Sequence, residues 1–287
     1  MSGILISPKE LYDSMSNDLV IIDTRDPDSY AQGHLEGAIN VHEIFTYLAT
    51  SSPEGMQELT SKFAGAFGAC GLDGKKTAVL YEESMNTGFG QSCRGYFLLS
   101  YLGYPGIKVL HGGLQAWKEQ ELPLSTEEVI PTPAVFPMDS INEALMLTVD
   151  QVRQALGDPS IALLDVRDID EWIGSSSSPY GKDFCPRKGR IPGAVWIEWY
   201  RLMKPTASGP MMKSREEVLA ECATVGITVD TPVYIYCFKG ARASNSFLAL
   251  KEAGIKDVRI YFGSWNEWSR YEELPIEEGL PFAETAA

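Results

Sequence analysis

The chain has 287 residues, 44% of them hydrophobic and 22% charged, values typical of a globular protein large enough for two domains. Its 39 acidic residues outnumber 24 basic ones, and it lacks any apolar run of about 18–20 residues, so we expect neither nucleic acid nor a membrane as a partner. The five cysteines include no Cys-x-x-Cys pair, which predicts neither a zinc site nor a disulfide framework and favours a cytoplasmic location.

The first half of the chain alternates apolar strands with turns. A short apolar run ending in Asp23-Thr-Arg-Asp26 predicts a buried strand that enters a polar turn, and Gly33-His-Leu-Glu-Gly-Ala-Ile39 follows it. Ala78-Val-Leu-Tyr81 predicts a strand of the fully apolar kind found inside parallel sheets. The long loop Glu82–Gln91 comes next and begins with two carboxylates, and Gly112-Gly-Leu-Gln-Ala-Trp117 closes the series.

The second half repeats these markers in the same order after a proline-rich linker. Ordered internal repetition indicates a tandem duplication, and strands alternating with helices predict two α/β domains, each a parallel sheet flanked by helices. We place the first domain at residues 1–125, the linker at 126–146 and the second domain at 147–287, with a surface loop inserted at Gly174–Lys188. The repeated markers are Asp165-Val-Arg-Asp168, Gly189-Arg-Ile-Pro-Gly-Ala-Val195, Val233-Tyr-Ile-Tyr236 and Gly263-Ser-Trp-Asn-Glu-Trp268.

The halves differ chemically in the loop after the last fully apolar strand. In the second half this loop is Cys237-Phe-Lys-Gly-Ala-Arg242, which leads into a helix predicted to begin near Ala243. The carboxyl end of a parallel strand, followed by a short loop and a helix N-terminus, is a common ligand and anion site. Lys239, Arg242 and the helix dipole favour a thiolate there, and glycine in the loop allows a tight bend. The pattern predicts a nucleophilic cysteine.

Taken together, these motifs resemble the rhodanese family of thiosulfate:cyanide sulfurtransferases. The similar features are the Asp-x-Arg strand end, the Gly-Arg-Ile-Pro-Gly-Ala turn and the strand ending in Cys-x-Lys-Gly-x-x-Ala, and they extend from about Ser7 to Pro281. The resemblance implies two rhodanese-like domains of which only the C-terminal one is catalytic, with no metal and no cofactor. It implies that Cys237 carries sulfur as a persulfide. The loop that would cradle the sulfur is Phe238, Lys239, Gly240, Ala241 and Arg242.

The implied reaction is sulfur transfer by covalent catalysis. The Cys237 thiolate would attack a small anionic sulfur donor such as thiosulfate, release sulfite, and pass the sulfur to a thiol or to cyanide. Lys239 and Arg242 would hold the donor's oxygens, with Arg190 or Arg187 as further candidates. All three histidines lie in the first half, which disfavours a Cys–His hydrolase.

Three alternatives stay open from the sequence. The mercaptopyruvate-using branch of the family tends to have Cys-Gly-Ser/Thr-Gly-Val, so Lys239 favours thiosulfate, but Phe238 and Arg242 also depart from the usual Cys-Arg-Lys-Gly-Val-Thr. The chain could instead be a persulfide relay that delivers sulfur to a protein partner without turnover. A cysteine phosphatase of the same fold would need Cys-x5-Arg, and here only four residues separate Cys237 from Arg242. Cys185, which lies among basic residues, is a hypothetical redox partner of Cys237.

Overall fold

The computed structural model describes residues 3–281, so Met1, Ser2 and the last six residues of the predicted second domain lie outside the described residues. Within that range the chain divides into two compact units. The first unit comprises the residues up to Tyr47, Met56–Glu143 and Met203–Ser214, and the second comprises Leu48–Gly55, Ala144–Leu202 and the residues from Arg215 onward. Our boundaries at residues 125 and 147 stay a proposal. No helix in the described range is long and apolar enough to cross a bilayer.

The first half of the chain alternates strands and helices, as predicted. The elements are β1 (Leu5–Ile6), α1 (Pro8–Ser14), β2 (Leu19–Asp23), α2 (Pro27–Gln32), β3 (Ile39–Asn40), α3 (Glu43–Thr46), α4 (Pro53–Ala69), β4 (Thr77–Tyr81), α5 (Gln91–Tyr101), β5 (Ile107–Leu110) and α6 (Gly113–Glu119). The five strands are parallel and lie in the order β1-β5-β4-β2-β3. Most residues of β2 and β4 are buried, which explains their continuous apolar sequences.

The second half builds a matching sheet. Its elements are the 3₁₀ turn Glu143–Leu145, β6 (Met146–Leu147), α7 (Val149–Gln154), β7 (Ala162–Asp165), α8 (Ile169–Trp172), β8 (Val195–Trp196), the 3₁₀ turn Trp199–Leu202, β9 (Met203–Thr206), β10 (Gly209–Met212), α9 (Arg215–Ala223), β11 (Val233–Tyr236), α10 (Ala241–Glu252), β12 (Val258–Tyr261) and α11 (Ser264–Trp268). Five of these strands are parallel, in the order β6-β12-β11-β7-β8. The antiparallel hairpin β9–β10 belongs to the first unit. Two α/β domains with parallel sheets are therefore confirmed.

In each sheet a buried ion pair lies at the end of the strand beside the central one, β7 in the second unit and β2 in the first. In the second unit, Nη2 of Arg167 lies 2.6 Å from Oδ2 of Asp165 and 2.8 Å from the carbonyl oxygen of Gly189. The Tyr236 hydroxyl accepts the N–H of Ile191 at 3.1 Å. These contacts hold the ends of β7 and β11 to the turn before β8, so the loop that follows β11 starts from a fixed position. The first unit repeats them with Arg25, Asp23, Gly33, Tyr81 and Leu35.

Candidate active site

Cys237 directly follows β11, and both its side chain and its main chain are hydrogen-bonded. Its side chain is almost fully buried, with 1% of its surface exposed, and Sγ accepts the N–H of Gly240 at 3.1 Å. The Cys237 N–H donates to Oγ of Ser264 at 3.2 Å, and its carbonyl accepts the N–H of Trp265 at 2.9 Å. The sulfur therefore lies at the start of α10, in contact with the main-chain amide of Gly240.

Gly240 makes this tight loop possible. It is the N-cap of α10 and has a φ of +91°, a region that glycine enters without strain. A Cβ at this position would lie 2.7 Å from a ring carbon of Phe262. The helix begins at Ala241, two residues before the predicted start, so Ala241 and Arg242 lie in its first turn. The first amides of a helix have no partner within it, and they suit a sulfur anion.

Arg242 lies in a buried ion pair with the first turn of α8. Its Nη1 and Nη2 donate to the two carboxylate oxygens of Glu171 at 2.6 and 3.1 Å, and Nη1 is 3.1 Å from Oδ1 of Asp168. Burial acts to lower the pKa of Arg242, but Glu171 and Asp168 together hold it above its ordinary value. Arg242 therefore stays charged, with most of its charge balanced by these carboxylates.

Lys239 and Phe238 face the inserted loop. Phe238 packs against Tyr180 and Phe184, with ring centroids 4.9 and 6.3 Å apart, and we call these three residues the aromatic cluster. The Lys239 ammonium lies 5.6 Å from the centroid of the Tyr180 ring. Tyr180 and Phe184 are 48% and 39% exposed, so the residues after the nucleophile border an accessible aromatic surface.

Arg187, in the inserted loop, and Arg190, just after it, both donate hydrogen bonds to main-chain carbonyls. Nη1 of Arg190 donates to the carbonyls of Trp172 and Gly279, and its Nε lies 3.3 Å from Glu277. These contacts connect the turn before β8 to the C-terminal segment. A role for Arg187 and Arg190 in donor binding stays a prediction. The guanidinium of Arg187 donates to five carbonyls, those of Trp268, Ser269, Tyr271, Glu272 and Leu274.

Burial suppresses the ionisation of three of the other cysteines. All five are free and buried. Burial raises the pKa of Cys70 to about 12 and the pKa of Cys185 and Cys222 to about 11. These three are therefore protonated at neutral pH and are poor nucleophiles. Cys185 lies in the hydrophobic core with Phe238, and its redox partnership with Cys237 stays a prediction.

In the first unit, Glu82 takes the position of Cys237. The Glu82 carbonyl accepts the N–H of Leu114 at 2.9 Å, the same contact that Cys237 makes at the start of α11. Its carboxyl group reaches back to the start of α5, where Oε2 accepts the N–H of Gln91 at 3.0 Å and Oε1 accepts the Ser92 hydroxyl at 2.7 Å. The amide of Gly90 also donates to it. The anion-binding amides of the first unit are thus occupied by the chain itself.

Burial of Glu82 should make the stability of the protein depend on pH. Burial raises the pKa of Glu82 from 4.5 to about 8, against the opposing effect of the hydrogen bond from Ser92. Between these values the folded state binds more protons than the unfolded state, so the free energy of unfolding falls as pH rises. A Glu82→Gln variant has no carboxyl group to titrate. Its free energy of unfolding should therefore rise relative to that of wild type by about 1.4 kcal/mol for each pH unit in this range. Urea unfolding at about pH 5 and pH 8 measures the gain.

A Ser92→Ala variant provides the opposite comparison. It removes a donor that favours the charged carboxylate, so its stability should continue to fall to a higher pH than that of wild type. If the difference in unfolding free energy between Glu82→Gln and wild type is the same at both pH values, the buried carboxyl group does not titrate as inferred.

Comparison with known proteins agrees with this arrangement. The model of the rhodanese-like domain matches the chain twice, over residues 7–120 and 148–271. The chain belongs to the rhodanese family. The resemblance noted in the sequence is therefore confirmed, and each match covers four of the five strands of one parallel sheet.

Named relatives cover nearly the whole rhodanese chain. Thiosulfate sulfurtransferase of Azotobacter vinelandii is 29% identical over 276 residues, which are 96% of this chain and 97% of the relative. Sulfur carrier protein TtuD of Thermus thermophilus is 28% identical over 281 residues, 96% of this chain and 93% of the relative. A variant of EanB, solved with a cysteine persulfide and ergothioneine, is 25% identical with a TM-score of 0.82, and the match covers 97% of this chain and 71% of EanB.

Three residues that contact the loop Cys237–Arg242 were not predicted from the sequence. Asp168 and Glu171, the partners of Arg242, form a capping box whose Asp-x-x-Glu spacing is visible in the sequence. Ser264 stands where the repeat of the first half has Gly113, and both adopt positive φ, +56° and +65°. A serine at a position that suits glycine is a sign of a functional constraint, and here its hydroxyl holds the main chain of Cys237.

Proposed function

We propose that this rhodanese moves sulfane sulfur from thiosulfate to a thiophilic acceptor, cyanide or a thiol, through a persulfide on Cys237. The observation that carries the proposal is the hydrogen bond from the Gly240 amide to Cys237 Sγ at the head of α10. The name of the Azotobacter relative supports it. Because Glu82 fills the equivalent amides in the first domain, we assign catalysis to the C-terminal domain alone.

In the proposed reaction the Cys237 thiolate attacks the outer sulfur of thiosulfate. The S–S bond of the donor breaks, and sulfite leaves with the bonding electron pair. The acceptor then attacks the outer sulfur of the persulfide, which forms thiocyanate from cyanide and regenerates the thiolate. The amides of the loop and the N-terminal end of α10 would stabilise the charge on sulfur at each stage.

The charges around the loop indicate how the donor is bound. Lys239 would contact the donor's oxygens, since it is the basic residue next but one to the nucleophile. Arg242 would act mainly through its field on Cys237, because Glu171 already accepts its hydrogen bonds and Asp168 lies in ion-pair contact with it. A lysine in place of a small hydroxyl residue favours thiosulfate over 3-mercaptopyruvate.

Parallel assays with two donors test the proposal. We expect sulfite and thiocyanate release from thiosulfate and cyanide, with kcat/KM at least about tenfold above that for 3-mercaptopyruvate. Mass spectrometry of the protein after thiosulfate alone should show one added sulfur on the peptide that contains Cys237. A preference for 3-mercaptopyruvate would overturn the donor assignment, and absence of the added sulfur would overturn the persulfide.

A second candidate is a sulfur carrier that delivers its persulfide to a protein. The exposed rings of Tyr180 and Phe184 favour it, because aromatic residues are enriched at protein interfaces, and TtuD is named a sulfur carrier. Fast loading by thiosulfate with slow transfer to small thiols would support the carrier, whereas rapid turnover with small thiols supports the enzyme. The five free cysteines suit a reducing compartment, so we place either form in the cytoplasm.

A further inference from the structure

The side chains that follow Cys237 are almost closed to solvent. Phe238 is buried, and Lys239 is only 9% exposed, so this lysine does not extend into water as surface lysines do. A buried ammonium is favourable only where nearby groups compensate for the hydration that it loses. The groups around Lys239 therefore determine where its charge lies.

The ring of Tyr180 is one of these groups. Nζ of Lys239 lies 5.6 Å from the centroid of this ring, within the distance at which an aromatic face attracts a cation. The same ring packs against Phe238 at a centroid distance of 4.9 Å. Tyr180 thus contacts both residues that follow the nucleophile, while part of its own surface stays exposed.

A hydrogen-bonded turn fixes the main chain of Tyr180. The Ser178 hydroxyl donates to the carbonyl of Gly181 at 3.0 Å and accepts the N–H of Tyr180 at 3.2 Å. Gly181 has a φ of +81°, which lets the turn close, and its carbonyl accepts the N–H of the buried Cys185 at 3.2 Å. The turn therefore carries the Tyr180 ring to a defined place beside the Cys237 loop.

A ring and a carboxylate hold a cation with different consequences. Glu171 balances most of the charge of Arg242, whereas an aromatic ring has no net charge, so its contact leaves the charge of Lys239 in place. The ring meets one side of the ammonium, which has three N–H donors. A lysine side chain loses much rotational freedom when an anion immobilises it, and a ring that already holds the ammonium lowers this cost.

We propose that Tyr180 is a positioning residue of the donor site. Its ring holds the Lys239 ammonium beside the Cys237 loop, where the ammonium meets the oxygens of a dianionic sulfur donor such as thiosulfate. This role rests on the proposed function, in which Lys239 contacts the donor. Tyr180 belongs to the inserted segment Gly174–Lys188, which the first half of the chain does not have, so only the domain with Cys237 carries this arrangement.

Single-turnover loading of Cys237 on the full-length protein tests the role, because it separates donor binding from the chemical step. Sulfite release at a series of thiosulfate concentrations gives the apparent Kd of the donor and the maximal rate. Tyr180→Leu should raise the apparent Kd about threefold to fivefold, the size of one cation–π contact, and keep the maximal rate within about twofold of wild type. Tyr180→Phe keeps an aromatic face for the ammonium and should restore the wild-type Kd.

Two further variants separate this role from general packing. Phe184→Leu is the matched control, because it removes the other ring that packs on Phe238, and its Kd should stay within about twofold of wild type. In the Lys239→Met background, Tyr180→Leu should change the second-order loading constant no further, since the group that it positions is absent.

Three results would overturn the role of Tyr180. They are an unchanged Kd in Tyr180→Leu, an equal rise in Phe184→Leu, and a loss of loading by Tyr180→Leu that is undiminished in the Lys239→Met background. Wild-type protein that releases no sulfite would overturn the proposed donor and this role with it. Failure of the positioning role alone, with wild-type loading intact, is therefore told apart from failure of the proposed function.

Discussion

A Cys237→Ser variant should lose thiosulfate-dependent sulfur transfer by about 1000-fold or more, the size of loss seen when a nucleophile is removed. Serine keeps the shape of the loop, because its hydroxyl can still accept the Gly240 N–H. It cannot form a persulfide, and its hydroxyl is not ionised at neutral pH. Sulfite release from thiosulfate, measured with and without cyanide, gives the loss.

Cys185→Ser is the matched control for this experiment. Cys185 is also buried in the second unit, but burial raises its pKa to about 11, so it is not the expected nucleophile. We expect this variant to keep turnover within a few-fold of wild type when the protein remains folded. If Cys237→Ser retains turnover within tenfold of wild type, another residue carries the sulfur and the assignment of Cys237 is wrong.

Arg242→Met should lower the free energy of unfolding by about 3–5 kcal/mol. The substitution removes the partner of Glu171, whose side chain is only 1% exposed, and leaves a buried carboxylate without its counter-charge. Methionine fills a similar length of space, so lost volume contributes little. Denaturation with urea or guanidinium at neutral pH measures the change.

A double-mutant cycle shows whether the ion pair is the cause. Arg242→Met combined with Glu171→Met removes both charges and should recover most of the stability lost in the single variant, because an apolar pair of similar volume replaces a buried ion pair at little cost. A loss below about 1 kcal/mol in Arg242→Met alone would mean that water solvates the pair and that it behaves as a surface salt bridge.

Features that depend on local pattern could be predicted from the sequence. The apolar runs that end in Asp23 and Asp165 are strands, and most of their residues are buried. The sequence predicts a tight bend at Gly240, because glycine adopts positive φ without strain, and the structure gives it a φ of +91°. The repeat also identified the position after β11 as the point where the two halves differ.

Features that depend on contacts distant in sequence could not be predicted. The sequence predicts that Arg242 binds the donor but does not reveal its partner Glu171, which lies 71 residues away and is brought close only by the fold. The carbonyls that Arg187 binds lie more than 80 residues downstream. Cys185 lies in a segment that reads as a surface loop, yet that segment turns inward and buries the thiol in the core.

The hairpin β9–β10 has a consequence for synthesis on the ribosome. The first unit takes its last segment, Met203–Ser214, from a part of the chain that is translated well after Glu143. Until then Nε2 of His111 lacks the Met212 N–H that it accepts at 3.0 Å in the finished protein. Although domains generally fold in the order in which they emerge, this one cannot be completed early. A truncated gene that stops at the linker would therefore encode an incomplete first domain.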